Sequence, residues 1–253
     1  MVLPLYILLL GSIKPFEEIS LASMWNLPTR VQLSNYVEAF LALRSNVLNS
    51  FVLVIPTTLA SALLGAWNGY VLSKWRFKGS ELVFGLILFG MFIPYQSILI
   101  PLVQILRKMH LYGSIAGLAF THVVYGIPLM AMIFRNFYAR VPQEVVEAGR
   151  IDGSGLFGIF TSIMLPLSWP AFVVAVVWQF TSVWNEFLFA IIVTQDPAVQ
   201  PVTVAFVNLA GCQYTEWNVQ MAGAILVSAP TLILYVVLGK YYIRGILAGS
   251  VKA

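Results

Sequence analysis

The chain has 253 residues, of which 60% are hydrophobic and 9% charged, and its formal net charge is +4. A soluble domain carries about 25% charged residues, and the mean hydropathy here is +0.87, so the composition is that of an integral membrane protein. The basic residues are scattered, which argues against nucleic-acid binding. The single Cys212 cannot form an intrachain disulfide, and no CxxC or Cys/His cluster suggests a metal.

Residues 1–13, MVLPLYILLLGSI, would reach about 20 Å as a helix, short of a hydrocarbon core of about 30 Å. They lack the basic start and small-residue cleavage site of a signal peptide. They read as the outer part of a first transmembrane helix whose inner end the sequence does not contain. The stretch 14–44 mixes charges with Pro15 and Pro28 and is expected outside the lipid. Helix 2 is expected over about 46–72, where Ser61, Ala62, Gly65, Ala66 and Gly69 allow a second helix to approach closely. A basic turn, SKWRFKGSE at 73–81, leads to helix 3 over about 82–105. That helix contains Pro94 and Pro101, which membrane helices tolerate when neighbours satisfy the freed backbone groups. Helix 4 is expected over about 114–137, helix 5 over about 170–194 and helix 6 over about 219–239, with a polar segment at 195–218 and a tail at 240–253.

Six spans put successive loops on alternate sides. Lys74, Arg76, Lys78, Arg135, Arg140, Arg150, Lys240, Arg244 and Lys252 then share one side, against Lys14, Arg30, Arg44, Arg107 and Lys108 on the other. Nine against five makes the first set cytoplasmic. The loop 140–168 and the C-terminus fall inside, and 14–44 and 195–218 outside.

Within that loop, VVEAGRIDGSGLFGIFTSIMLPL at 145–167 gathers Glu147, Arg150 and Asp152 among glycines. Pro142 suits the first position of a helix and Gly153 suits its end. Val145, Val146, Ala148 and Gly149 offer a low-profile surface, and a second turn from Leu156 to Met164 offers Phe157, Ile159, Phe160 and Ile163. Two short helices of this kind fit a groove on a soluble partner, with the charges fixing register at the rim. An ordinary solvated loop fits the same spacing.

The stretch resembles the EAA loop of ABC-importer permeases. The resemblance rests on Glu147-Ala148-Gly149, Asp152-Gly153-Ser154, Phe160, Ile163, Leu165-Pro166-Leu167 and Pro170. Gly149 and Ser154 stand where that pattern has alanine, and both stay small. LNS at 48–50, YVLSKWRFKG at 70–79, IPLVQIL at 100–106, RNFYARVPQE at 135–144, WNEFLFA at 184–190 and the tail YYIRGILAGSVKA narrow the resemblance to carbohydrate-importer permeases of the maltose-type G-subunit kind. It implies an all-α integral membrane protein with six transmembrane helices, the first truncated, and a cytoplasmic EAA coupling-helix loop. It also implies a bacterial or archaeal inner membrane, a homologous second permease, two ATPase subunits and an external solute-binding protein. Glu147, Ala148, Gly149, Arg150, Asp152, Gly153, Phe160, Leu165 and Pro166 would couple the chain to the ATPase. The tail would also reach the ATPases, and 195–218 would probe the binding protein. The sequence has no G-x-x-x-x-G-K-[ST] phosphate loop, so ATP and Mg are expected on the partner subunits and no cofactor on this chain, which is not itself an enzyme.

Glu186 is the one carboxylate inside an expected span. Burying it near mid-bilayer costs roughly 2.5–3.5 kcal/mol on insertion scales, so it should face the bundle interior or a cavity. Trp184 and Asn185 lie beside it, with Gln179 and Ser182 about one turn earlier, and His122 and Tyr125 occur in helix 4. Aromatic, amide and carboxylate groups suit a sugar, so Trp184, Asn185, Glu186, His122 and Tyr125 are candidates for the substrate pathway. Structural hydrogen bonding fits Glu186 and His122 as well. Glycerol phosphate or another polyol derivative is the alternative cargo. An ion-coupled secondary transporter, which usually carries repeats and several intramembrane charges, and a cargo-free scaffold are the alternative classes.

Overall fold

The computed structural model describes residues 3–75, 77–211 and 216–250, with side chains except at 210 and 242–250. Arg76, Cys212 and Lys252 lie outside the described residues. Regular structure among them is helical throughout: α1 (Leu3–Ser12), α2 (Ser34–Lys74), α3 (Ser80–Phe89), α4 (Leu99–Lys108), α5 (Ile115–Tyr138) and α6 (Gln143–Ile151) come first. Then follow α7 (Leu156–Leu167), α8 (Trp169–Trp184), α9 (Leu188–Val193), α10 (Val202–Ala210) and α11 (Trp217–Ser250). Three helices are long and apolar enough to cross a membrane, and joining two bent pairs raises the number to five. The ten-residue α1 is apolar but shorter.

The helices depart from the simple hydropathy reading in four places. First, α2 begins at Ser34 and runs for 41 residues, about 60 Å. Its first turns bury Asn35, Ala39 and Leu43, a helical period that the charges of 14–44 conceal. Second, the expected helix 3 is two pieces bent by 92°. Pro94 sits extended (φ −58°, ψ 119°) and Ile93 before it is extended too (ψ 118°), because a proline pushes its predecessor out of the helical region. Pro101 falls in the first turn of α4, where no backbone N–H is missed. Third, the expected helix 5 stops at Trp184 and resumes at Leu188. Fourth, the polar segment 195–218 contains α10, whose Val202 and Val204 are buried, and the expected tail continues α11 to Ser250.

The centre of the fold is the seam between α2 and α5. Gly65 and Gly69 lie against it: a Cβ at Gly65 would stand 2.2 Å from Met130 Cβ, and one at Gly69 2.6 Å from the Arg135 amide. Small residues at this spacing let two backbones touch, which is how membrane helices gain packing where lipid offers no hydrophobic drive. The opposite face of α2 exposes Leu48, Val52, Ile55, Leu59 and Leu63 at steps of three and four, an apolar stripe for lipid or a second membrane chain.

At one end, α1 packs on α11, and residues 13–33 fold over the junction around Lys14. Lys14 is only 1% exposed, and its Nζ donates to the carbonyls of Ser23 (2.9 Å) and Met24 (3.4 Å). Asn35 donates to the carbonyls of Ser12 and Lys14 and accepts from Asn218 (3.1 Å). Glu18 accepts from the hydroxyl and amide of Thr29, which hold its carboxyl below the usual carboxylate range.

Candidate functional site

At the opposite end from Lys14, α6 and α7 form a hairpin of two short helices. Pro142 is the residue before α6, extended at φ −54° and ψ 144°, one position earlier than the spacing suggests. Gly153 ends α6 at φ +80°. The Ser154 amide donates to the Gly149 carbonyl (2.9 Å) and the Gly153 amide to that of Arg150 (3.0 Å), the paired bonds of a Schellman end. A branched residue is costly in that left-handed conformation. Gly153→Val is expected to destabilise the hairpin by about 1–2 kcal/mol, read as faster protease cleavage at 152–156 with the rest of the chain intact.

The two helices touch through Gly149. A Cβ there would stand 2.9 Å from Ile163 Cδ1 and 3.1 Å from Ile159 Cγ1, so this glycine is fitted to its neighbours. Pro166 has no N–H to give to Ser162, and its ring opposes that carbonyl. The ladder slips to wider bonds over Phe160–Met164, with the Leu165 amide reaching the Phe160 carbonyl. Ser168 then makes a 78° corner into α8. Its Oγ accepts from the Tyr138 hydroxyl (3.0 Å) and donates to the Leu165 carbonyl (2.8 Å).

The inward face of the hairpin is fixed to the bundle. Phe160 stacks on Tyr70 (5.5 Å between centroids) and meets Trp67 edge-on (5.0 Å). Tyr70 Oη donates to the Leu156 carbonyl (3.3 Å) and accepts from Trp75 Nε1 (2.6 Å). The Arg150 guanidinium lies 4.1 Å from the Trp75 ring centroid, and Lys74 Nζ donates to the Val141 carbonyl. Val146, Ile159, Phe160 and Met164 share one core cluster with Ala62, Ala66, Met130 and Phe134 of the α2–α5 seam. The outward face differs. Glu147, Ala148, Asp152, Gly153 and Pro166 are exposed. Of the nine residues singled out in sequence, Gly149 and Phe160 face inward, Leu165 is partly buried, and Arg150 is exposed but bridges back to Trp75. Tyr70, near the end of α2, and Trp75, in the basic turn that follows, are contacts that the sequence reading does not single out.

A second arrangement is a half-open cleft of about 250 Å³ between α5, α8 and α9. His122, Tyr125, Glu186 and Ser182 line it together with Tyr95 and Trp178. Glu186 sits in the break between α8 and α9. Its Oε1 accepts from the Phe189 amide (2.8 Å) and its Oε2 from the Ala190 amide (3.1 Å), so the carboxylate caps α9 and explains why the chain can turn there. His122 Nε2 lies 3.7 Å from Glu186 Oε2, too far for a direct hydrogen bond. Gln179 is buried between the helices, donating to Ser61 Oγ (3.1 Å) and the His122 carbonyl (3.2 Å).

Two pathway candidates stand elsewhere. Trp184 is 1% exposed in the core, stacked on Phe180 (5.6 Å) with its Nε1 donating to the Val227 carbonyl (3.0 Å). Asn185 is exposed and donates to the Thr181 carbonyl (2.9 Å), outside the cavity lining. The helix break at 185–187 separates both from the cavity that Glu186 lines. Trp178, one turn before Ser182, is the tryptophan at the cavity. Asn46 and Asn49 instead hold the loop before α10, donating to the carbonyls of Pro197, Ala198 and Gln200 at 2.8–3.2 Å. Ser50 Oγ accepts from the Val202 amide (2.8 Å).

The chain thus combines a helical bundle, a half-open cleft lined by His122, Tyr125 and Glu186, and a hairpin fixed to one end. The chain belongs to the family of binding-protein-dependent transport system inner membrane components, which matches residues 61–247. It is 46% identical over 185 residues, 73% of this chain and 67% of the relative, to a probable ABC transporter permease protein of Pyrococcus horikoshii. It is 30% identical over 253 residues, 97% of this chain and 88% of the relative, to the glucose import system permease protein GlcU of Saccharolobus solfataricus. Its fold is similar, with a TM-score of 0.81 at 20% identity, to a chain in the crystal structure of a bacterial ABC transporter involved in the import of the acidic polysaccharide alginate, covering 95% of this chain and 90% of that one. As a family member it is a permease component of the inner membrane, working with a binding protein.

Proposed function

We propose that this chain is the permease subunit of an ATP-driven sugar importer, with the α6–α7 hairpin as the coupling loop that docks in the cleft of a partner ATPase. The observation that carries the reading is the two-sidedness of the hairpin. Its outward face offers Glu147, Ala148 and Asp152 to a partner, while its inward face is fixed to the α2–α5 seam through Phe160, Tyr70 and Trp75. A push on the hairpin therefore moves helices, because close-packed interiors transmit displacement instead of absorbing it.

The remaining parts follow that assignment. Six spans are formed by α1, α2, the α3–α4 pair, α5, α8 with α9, and α11. The hairpin and the C-terminus face the cytoplasm, with the end of α11 beside the ATPases. Residues 14–33 and the α10 segment face outward, where α10, held by Asn46 and Asn49, meets the solute-binding protein. A homologous second permease completes the pathway and covers part of the exposed stripe of α2. ATP and Mg bind on the two ATPase subunits, and alternating access needs no catalytic group here. Sugar is the favoured cargo because the glucose import relative matches nearly the whole chain and the cleft carries aromatic, hydroxyl and carboxylate groups together. The test is the complex purified through a tag on this chain and reconstituted with its binding protein. ATP hydrolysis should rise when the binding protein carries sugar; no rise with any sugar-loaded binding protein would overturn the reading.

A further inference from the structure

The cavity between α5, α8 and α9 holds a polar atom that the fold leaves unanswered. His122 is only 5% exposed, and its Nε2 has no hydrogen-bond partner among the described residues. A buried nitrogen without a partner is costly to the fold, so a donor or acceptor from a bound molecule would relieve it. Across from it, Glu186 has spent part of its acceptor capacity on the Phe189 and Ala190 amides. A carboxylate has about four lone-pair sites, so room remains for further donors. The 3.7 Å between the two groups is too long for them to satisfy each other, yet short enough for one hydroxyl to meet both.

The walls select further. Tyr125 and Tyr95 pack on Phe189, with centroids at 5.1 Å and 5.3 Å. Trp178 is half exposed at the cavity. Aromatic faces of this kind suit the C–H face of a sugar ring. No lysine or arginine lines the cavity among the described residues, and Glu186 is its one acidic group. It is held at a helix N-terminus by two amides, an arrangement that suits negative charge. A volume of about 250 Å³ falls below the roughly 300–1,000 Å³ of pockets for larger ligands.

We infer that this cavity is a subsite for a single neutral, hydroxylated ring, in which one hydroxyl bridges His122 Nε2 and Glu186, and that it rejects phosphorylated or acidic cargo. The inference rests on the importer reading and assigns sugar selection to this chain itself. It favours neutral sugar over glycerol phosphate because a phosphate there would meet a carboxylate with no compensating cation.

Equilibrium binding to the intact complex, isolated by size so that misassembled chains are removed, tests it with radiolabelled D-glucose, D-glucose 6-phosphate and maltotriose. Wild-type complex should retain glucose and bind the other two at least tenfold more weakly. Glu186→Gln, which keeps one acceptor for the α9 amides, should weaken glucose binding about tenfold or more. Ser182→Phe, at an exposed position that lines the cavity without capping a helix, should abolish glucose binding by filling the space. No binding of glucose to wild type, equal binding of the phosphate ester, or glucose binding unmoved by both variants would each overturn the subsite. The importer reading fails separately, through a binding protein whose sugar-loaded form leaves ATP hydrolysis unchanged.

Discussion

Glu147→Lys is expected to abolish ATP-driven uptake while the chain still inserts and folds. Glu147 is exposed on α6 and has no partner among the described residues. Substitutions at such surface positions usually change stability by about 0.5 kcal/mol or less. At an interface the same reversal is severe, since losing one partner of a close charge pair costs about 2–5 kcal/mol. Retention of the ATPase on a tagged permease should fall by about 30-fold or more, with the thermal transition of the isolated permease unmoved. Arg150 is the instructive contrast. Its guanidinium sits over Trp75, so Arg150→Ala should loosen the hairpin from the bundle and weaken transport. Wild-type uptake and ATPase retention in Glu147→Lys would mean that the outward face docks nothing.

Gly65→Leu is expected to destabilise the bundle strongly. A Cβ there would come within 2.2 Å of Met130 Cβ and 2.8 Å of the Met130 carbonyl carbon. The nearest obstacles include backbone, so rotamer changes cannot relieve the overlap and α2 must separate from α5. Overpacking a core costs about 1–3 kcal/mol and sometimes more. Here the loss falls on the seam that also carries Phe160 and the hairpin, so transport should fall with stability. Gly85→Leu is the control: a Cβ at Gly85 meets nothing within 4 Å, and the change should leave the folded yield as it is. Fluorescence-detected size-exclusion chromatography after graded heating separates the two. An unchanged midpoint for Gly65→Leu would show that the seam is looser than described.

The hairpin was legible in the sequence because its signals are local. A proline before the first helix, a glycine that must turn left-handed, and Leu165-Pro166-Leu167 at the corner each fix backbone geometry without help from distant residues. The small-residue face of α2 was legible for a similar reason, since such residues at helical spacing inside an apolar run have few other uses, but its partner α5 was not. His122, Tyr125 and Glu186 could be singled out as polar groups at depth, and they do share one cavity. Bends were the blind spot. Hydropathy averages across Pro94 and across Asn185–Phe187, so two broken helices read as continuous, and the burial of Trp184 in the core beside the break is not visible in the sequence. The break at 185–187 depends on a carboxylate turning back to cap the next helix, a contact that period and composition do not encode. The start of α2 was hidden likewise, because its amphipathic first turns bury Asn35 and Ala39 under α11 and the Lys14 segment instead of under lipid.

The central claim is that the outward face of α6 seats in an ATPase. In a background with Cys212 replaced by serine, a cysteine at Glu147 offers the most direct reading. In the assembled transporter, a short bifunctional reagent should join that position to the ATPase subunit, with an efficiency that changes between ATP-bound and nucleotide-free states. The same cysteine reacting freely with a small soluble thiol reagent in both states, and joining no ATPase, would contradict the account.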